Sequence, residues 1–240
     1  MHNFTEKPDF TENRPAPLAV LFDLDGVLID TEPQYDVFWQ QIGERYRPDI
    51  PSFGQRIKGT TLPNILADYF SHLPEAVRQK IAAANHAFDL QLEMIPIPGA
   101  MAFLYALKQT GVKMGLVTSS DDDKLAIVFR TLPIRGLFDT IVSADRITQG
   151  KPHPMCYLLA ADDLDVTPAQ CVVFEDSTAG LTAAKNADMR VIGLATTLPE
   201  ETIRTYTSEV IADFSDVEAV MKLIFSLKRK AFCRDKNNEQ

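Results

Sequence analysis

The sequence predicts a doubly wound α/β domain with a mainly parallel sheet and an inserted helical subdomain. Two observations support this prediction. Short apolar runs alternate with helical patterns along most of the chain, and continuous rather than alternating apolarity is typical of strands that are covered on both faces. One long stretch carries helical patterns only, which indicates an insertion, because connections within a compact sheet are usually short.

The strands and helices of the main domain follow one another in a regular order, which favours a doubly wound fold. The predicted strands are Leu18–Phe22, Met114–Val117, Ile141–Val142, Val172–Phe174, Val191–Leu194 and Val210–Ile211. The predicted helices are Ala100–Thr110, Lys124–Thr131, Met155–Asp163, Ala179–Ala187 and Asp216–Phe225. The last of these begins with SDVE, a capping box in which Ser215 is the expected N-cap.

The insertion runs from about residue 31 to residue 96. Its helical patterns are YDVFWQQIGERY, NILADYF and EAVRQKIAAANHAFDLQLEM, and IPIPGA marks the return to the main domain. We therefore expect a core domain built from residues 17–30 and 97–226, a helical domain at 31–96, and flexible tails at 1–16 and 227–240.

Composition excludes several classes of partner. The formal net charge of −9 argues against nucleic acid and anionic membranes, although a local cation can still make a cleft attractive to an anionic small molecule. The 3 cysteines show no CxxC spacing, which is typical of a reducing compartment. No apolar stretch approaches about 18 residues, the length of a membrane span, and the polar start lacks a signal-peptide pattern. We expect a cytoplasmic protein, as a monomer or weak dimer.

Chemically active residue types follow the predicted strands. In open α/β sheets, ligands bind outside the carboxyl ends of the strands. The residues found there are Asp23 and Asp25 after the first strand, Thr118 and Ser119 after the second, Lys151 in the loop after the third, and Glu175 with Asp176 after the fourth. Acids, hydroxyls and a cation should therefore meet at one edge of the sheet.

Each of these residues also has a simpler interpretation. Asp23 and Asp25 could form a strand-end turn with Gly26, Lys151 could be a surface lysine, and Thr118 with Ser119 could cap the next helix. Four clustered carboxylates, however, need a cation, and oxygen ligands without His or Cys favour Mg²⁺.

The motifs FDLDGVLIDTE, LVTSS, GKPHP and VFEDSTAGLTAAKNA resemble the four sequential motifs of the haloacid dehalogenase-like superfamily. The resemblance covers the chain from about Leu18 to Leu194 and is closest to the branch that contains β-phosphoglucomutase, phosphoglycolate phosphatase and sugar-phosphate phosphatases. It implies a Rossmann-like three-layer core with an α-helical cap inserted between the first and second motifs.

The resemblance also implies a role for each core residue. Asp23 would be the nucleophile that forms an aspartyl-phosphate, and Asp25 the general acid and then the general base. Thr118 and the Ser119 amide would hold the phosphoryl oxygens, and Lys151 would neutralise their charge.

The metal implied by the resemblance is Mg²⁺. It would be held by the Asp23 side chain, the Asp25 backbone carbonyl and Asp176. Glu175 would either bind the metal directly or form a hydrogen bond to one of its ligands. Dehalogenases of the superfamily lack the second aspartate and need no metal, so Asp25 argues against dehalogenation.

The insertion should select the substrate. Its candidate substrate-binding residues are Thr31, Glu32, Gln34, Tyr35, Arg56, Lys58 and Gly59, although each could equally be a packing or solvated surface residue. The mutase pattern has a His where this chain has Tyr35, an Arg where it has Leu62, and a Lys where it has the alanine-rich IAAANHAF. A further departure is Asp188, which takes the place of the glycine expected after a helix.

These observations favour a Mg²⁺-dependent phosphatase that acts on a small phosphorylated metabolite, a sugar or polyol phosphate. The alternatives are a phosphosugar mutase of the β-phosphoglucomutase type and a catalytically silent binding protein on the same fold.

Overall fold

A sheet of six parallel strands forms the centre of the computed structural model, which describes residues 18–225. The strand order is β3-β2-β1-β4-β5-β6, and every neighbouring pair is parallel. The strands are β1 (Ala19–Phe22), β2 (Lys113–Val117), β3 (Thr140–Val142), β4 (Cys171–Glu175), β5 (Arg190–Leu194) and β6 (Glu209–Ile211). The predicted α/β class with a parallel sheet is confirmed.

Helices cover both faces of the sheet. In chain order the helices are α1 (Glu32–Tyr46), α2 (Phe53–Arg56), α3 (Leu62–Phe70), α4 (Glu75–Asp89), α5 (Ala100–Lys108), α6 (Asp122–Thr131), α7 (Met155–Asp163), α8 (Thr178–Asn186), α9 (Glu200–Ile203) and α10 (Val217–Phe225). Val20 and Phe22 of β1 contribute to one buried cluster, while Ala19 and Leu21 contribute to another. Successive side chains of a strand point to opposite faces, so the sheet is buried between two helical layers.

The inserted segment contains helices α1 to α4 and has a hydrophobic cluster of its own. That cluster is centred on Trp39, Phe53, Ile65 and Phe70. The chain leaves the core and returns to it side by side, because the Asp30 amide donates to the Ile95 carbonyl at 2.7 Å and the Ile97 amide to the Leu28 carbonyl at 3.0 Å. The division into domains at residues 31 and 96 stays a prediction.

One local expectation and one of the simpler interpretations are wrong. The N-cap of α10 is Asp216 rather than Ser215, because Asp216 Oδ1 accepts the Ala219 amide at 2.9 Å. Helix α6 is capped by Asp121, whose Oδ1 accepts the Lys124 amide at 2.9 Å, so neither Thr118 nor Ser119 has the capping role. The four-residue helices α2 and α9 were not predicted, since they are too short to show a helical period.

The predicted tails, and residues 17 and 226 of the predicted core, lie outside the described residues. Within residues 18–225, no helix combines the length and apolarity that crossing a membrane would require.

Candidate active site

The ends of three neighbouring strands bring the predicted core residues together. Asp23 follows β1 and Thr118 follows β2. Glu175 is the last residue of β4, and Asp176 follows it. Strands β1 and β4 are adjacent in the sheet, at the point where the strand order reverses direction, which is the usual ligand site of a doubly wound fold.

Lys151 joins two of these carboxylates from within the core. Its side chain is 1% exposed, and its Nζ lies 2.9 Å from Asp23 Oδ1 and 2.5 Å from Glu175 Oε1. Burial alone would lower the pKa of Lys151, but the charges of Asp23 and Glu175 outweigh it and raise that pKa. The interpretation of Lys151 as a surface lysine is therefore wrong, and the ammonium is fixed beside the predicted nucleophile.

Asp23, Glu175 and Asp176 form a buried acidic group whose ligand atoms lie within 4.8 Å of one another. Both carboxylate oxygens of Asp176 are buried without a hydrogen-bond partner among the described residues. Burial, with the added charge of Glu175, raises the pKa of Asp176 well above its usual range. Burial likewise raises the pKa of Asp23 to about 7, although Lys151 opposes it. An unpartnered buried carboxylate beside two others fits a divalent cation with oxygen ligands.

Glu175 differs from Asp176 because protein donors already occupy both of its oxygens. Oε1 accepts from Lys151 Nζ and, at 2.7 Å, from the Tyr157 hydroxyl. Oε2 accepts the amides of Asp176 and Ser177 at 3.1 and 3.3 Å. This arrangement favours Glu175 as the residue that orients Lys151 and the Asp176 loop.

Gly26 provides the turn after β1 and also the space for Asp176. Its φ is +77°, and a Cβ atom there would lie 1.9 Å from Asp176 Oδ2. A side chain at position 26 would therefore strain the backbone and displace a carboxylate of the acidic group. FDLDG therefore contains the expected turn, and its functional interpretation stays a prediction.

Asp25 is held by three donors from different parts of the chain. Lys124 Nζ lies 2.7 Å from both carboxylate oxygens, Ser120 Oγ donates to Oδ2 at 3.0 Å, and the Thr31 hydroxyl donates to Oδ1. Burial would raise the pKa of Asp25, but Lys124 and the hydrogen bonds from Lys124, Thr31 and Ser120 outweigh it and lower that pKa.

Ser120 and Lys124 were not predicted as site residues. A usable signal was the position of Lys124 at the start of the predicted helix Lys124–Thr131, because the helix dipole disfavours a cation in the first turn. The structure shows that Lys124 is buried there and that Asp25 is its partner of opposite charge.

A cavity lies between the strand ends and the inserted helices. The core side is lined by Asp23, Asp25, Thr118, Ser119, Ser120, Asp121, Lys124, Asp176 and Ser177. The side formed by the insertion includes Glu32, Tyr35, Asp36, Trp39, Lys58, Gly59, Asn85 and Asp89. Four of the predicted substrate-binding residues, Glu32, Tyr35, Lys58 and Gly59, therefore reach the cavity.

Gly59 brings the insertion into contact with the core. The Ser119 hydroxyl donates to the Gly59 carbonyl at 2.9 Å. The φ of Gly59 is +73°, and a Cβ atom there would lie 2.4 Å from Ser177 Oγ. Only a glycine can approach the core this closely in that conformation.

Tyr35 connects α1 and α4, two of the helices of the insertion that contribute to the cavity. Its hydroxyl donates to Asp89 Oδ1 at 2.5 Å, and Asn85 Nδ2 donates to Asp89 Oδ2 at 2.9 Å. Burial, together with Asp25 and Asp89, raises the pKa of Tyr35 well above its usual range, so the phenol remains a donor. Asn85 and Asp89 were not predicted as site residues, although buried polar residues four apart on an amphipathic helix are a detectable signal.

Three predicted substrate-binding residues do not line the cavity, and their role in substrate binding stays a prediction. Gln34 Nε2 donates to the Glu93 carbonyl and Gln34 Oε1 accepts the Glu93 amide, each at 3.0 Å. Arg56 is exposed to solvent on α2. Thr31 is fully buried and hydrogen-bonded to Asp25. Their contacts give Gln34 and Thr31 structural roles.

Comparison with known proteins supports the family that the sequence motifs resemble. The family model described as haloacid dehalogenase-like hydrolase matches residues 20–194. The chain is 34% identical over 190 residues to a phosphorylated carbohydrates phosphatase of Thermotoga maritima, covering 75% of this chain and 86% of that protein. It is 32% identical over 190 residues to the β-phosphoglucomutase of Bacillus subtilis, covering 73% of this chain and 82% of that protein.

A solved structure supports the fold. A hydrolase from Pseudomonas syringae superposes with a TM-score of 0.73 at 23% identity, covering 86% of this chain and 98% of that chain. At this identity the likeness concerns the fold alone. The family model and the curated relatives, one of which is named a phosphatase, support the predicted phosphohydrolase class. The chain belongs to the haloacid dehalogenase-like hydrolase family.

Proposed function

We propose that the protein is a Mg²⁺-dependent phosphatase that hydrolyses a small sugar or polyol monophosphate through an aspartyl-phosphate on Asp23. The main support for this proposal is the set of charged groups that surround Asp23. One of its oxygens accepts from the buried Lys151 at 2.9 Å, and the unpartnered Asp176 carboxylate lies in the same acidic group. A carboxylate nucleophile with cationic neighbours suits attack on an anionic phosphoryl group.

In the first step, a carboxylate oxygen of Asp23 attacks phosphorus and the bond from phosphorus to the leaving oxygen breaks. Asp25 lines the same cavity as Asp23; its pKa is lowered in the substrate-free protein, so it must take up a proton when the anionic substrate binds, and it passes that proton to the leaving oxygen. Thr118 lies at the end of β2 and Lys151 beside Asp23, where they can bind the phosphoryl oxygens and balance their charge.

In the second step, water attacks the phosphorus of the aspartyl-phosphate and Asp25 accepts the proton of that water. The bond between phosphorus and the Asp23 oxygen breaks, inorganic phosphate leaves, and the Asp23 carboxylate is restored. Dividing one difficult displacement into two steps is the general advantage of a covalent nucleophile.

The metal would be held by Asp23 and Asp176, with the backbone carbonyl of Asp25 as a further candidate ligand. When bound, Mg²⁺ supplies positive charge that offsets the negative charge of the phosphoryl group and of the acidic cluster.

The insertion favours a phosphatase over a mutase. A mutase must also hold a second phosphate, which requires a free cation on the insertion. Lys58 lines the cavity, but its Nζ lies 2.9 Å from Glu32 Oε2 and 3.0 Å from Asp36 Oδ2. Burial would lower the pKa of Lys58, and these two carboxylates outweigh it and raise that pKa. The lysine is thus already neutralised, while Asp89 adds a further acid to the cavity.

Hydroxyl-rich substrates suit such a surface better than a second phosphate does. Carboxylates accept hydrogen bonds from sugar or polyol hydroxyls, whereas they repel an anion. The expected substrate therefore carries a single phosphate and a neutral polar body.

A screen of phosphorylated metabolites tests this proposal. Purified protein with Mg²⁺ is incubated with each compound, and both inorganic phosphate and isomerised sugar phosphate are measured. We expect phosphate release from sugar or polyol monophosphates and its loss when EDTA is added. Efficient isomerisation with little phosphate release would instead establish the mutase, and activity that is insensitive to EDTA would contradict the metal assignment.

A further inference from the structure

Lys124 is a buried cation whose function the proposed phosphatase reaction does not explain. The residue is 4% exposed, lies in the first turn of α6, and lines the cavity. Its Nζ lies 2.7 Å from Oδ1 and 2.7 Å from Oδ2 of Asp25. A lysine buried at the start of a helix opposes the helix dipole and loses hydration. The ion pair with Asp25 offsets the free-energy cost of placing the charge there.

The inserted helices fix the ammonium from the other side. Lys124 Nζ lies 4.5 Å from the centroid of the Tyr35 ring, which is the distance of a cation–π contact. The Tyr35 hydroxyl is in turn fixed by Asp89 at 2.5 Å. The lysine is therefore held between a carboxylate of the core and an aromatic ring of the insertion.

We propose that Lys124 is a positioning residue, which holds the carboxyl group of Asp25 in the orientation needed for proton transfer to the leaving oxygen. This inference rests on the proposed function, in which Asp25 is the acid and base. Thr31 and Ser120 each contact one oxygen of Asp25, whereas Lys124 contacts both. Without Lys124 each oxygen of Asp25 keeps a single hydroxyl donor and the side chain is held less rigidly; a displacement of about 1 Å can cost about 100-fold in rate.

The dependence of rate on the leaving group separates this role from simple packing. An alkoxide leaves phosphorus slowly unless it receives a proton, whereas para-nitrophenolate leaves readily without one. A residue that acts through Asp25 must therefore matter for an alkyl phosphate and matter little for para-nitrophenyl phosphate. A residue that only stabilises the fold must affect both esters equally.

The experiment compares Lys124→Met with the wild type on two esters in the presence of Mg²⁺. One ester is the alkyl monophosphate that the wild type hydrolyses best, and the other is para-nitrophenyl phosphate. We expect Lys124→Met to lower kcat for the alkyl ester by about 100-fold, within the usual range of general acid catalysis. For the aryl ester we expect a change of less than about threefold.

Three further variants complete the design. Asp25→Asn should show the same preference for the aryl ester, because the two residues act together. Lys124→Arg keeps a cation and should retain more activity on the alkyl ester than Lys124→Met does. Lys108→Met removes an ion-paired lysine, whose partner is Asp139 at 2.8 Å, from the opposite edge of the sheet, and should change neither rate.

Several results would overturn the inference. One is an equal loss on both esters, which indicates packing alone. Another is a raised KM with an unchanged kcat, which indicates a substrate contact. If Lys124→Met is unfolded in a thermal melt, Lys124→Gln replaces it and the same comparison applies. If the wild type hydrolyses neither ester nor any other phosphate, the proposed function fails and the inference fails with it.

Discussion

The ammonium of Lys151 lies 2.9 Å from Oδ1 of Asp23, although the two residues are 128 positions apart in the sequence. The contact forms because both residues lie at the carboxyl edge of the sheet, one after β1 and one in the loop before α7. Both side chains are nearly inaccessible to solvent, so the charge of each is stabilised by its partner rather than by water.

Replacing Lys151 with Met should strongly destabilise the fold and abolish turnover. Two buried carboxylates, those of Asp23 and Glu175, would lose their shared cation, and breaking a buried ion pair costs about 3–5 kcal/mol. Urea unfolding in EDTA measures this cost. The matched control is Lys108→Met, which breaks an ion pair that is more than one-third exposed and should cost less than about 1 kcal/mol. Similar losses for both variants would contradict the assignment.

The titration of Asp23 should be visible in the stability of the metal-free protein. Burial raises the pKa of Asp23 from 3.8 to about 7, so between these values the folded state holds a proton that the unfolded state has lost. The contribution of Asp23 to stability is therefore present at low pH and declines as pH rises through this window. The readout is the free energy of unfolding of the wild type minus that of Asp23→Asn, measured in EDTA. A difference that stays constant or increases from acid to neutral pH would refute this.

Asp36→Asn should shift selectivity toward substrates with a second phosphate. The substitution removes one of the two carboxylates that pair with Lys58, so the ammonium keeps only Glu32 as a partner and a bound anion meets one negative charge fewer. We expect the ratio of kcat/KM for a sugar bisphosphate to that for the matching monophosphate to rise about tenfold, equivalent to about 1.4 kcal/mol. Asp49→Asn is the control, because Asp49 pairs with Arg47 at the surface of the insertion. An unchanged ratio in Asp36→Asn would argue against a role for Lys58 in selectivity.

Asp188→Gly should stabilise the protein. Helix α8 ends with the amide of Asp188 donating to Lys185 and that of Met189 donating to Ala184, a Schellman motif whose turn residue is Asp188 at φ 57°. The left-handed conformation costs a residue with a Cβ atom about 1 kcal/mol, so glycine should raise the free energy of unfolding by up to about that amount. Asp188→Ala retains the Cβ and should bring no such gain; equal effects of the two variants in urea unfolding would contradict this explanation.

The fold and the core of the site were predictable because few local rules determine them. Strand runs such as Val172–Phe174 are apolar throughout, and the residues that follow parallel strands must meet at one edge. That rule places Asp23 and Asp176 together without knowledge of tertiary packing. The family and the phosphohydrolase class predicted from the motifs are confirmed by the comparisons.

The side of the cavity formed by the insertion was harder to predict, because helical patterns do not determine how helices dock. Tyr35 and Gln34 are adjacent on α1, yet only Tyr35 reaches the cavity, while Gln34 pairs with Glu93. Asp89 and Lys124 contribute through contacts with residues far away in the sequence. Such contacts depend on tertiary packing, which periodicity does not encode.

The most direct test of the central claim is phosphate release by the wild type and by Asp23→Asn, measured side by side with Mg²⁺ on the best monophosphate of the screen. We expect rapid release by the wild type, no release above background by Asp23→Asn, and little isomerised product from either. Turnover by Asp23→Asn at a rate close to that of the wild type would show that Asp23 is not the nucleophile.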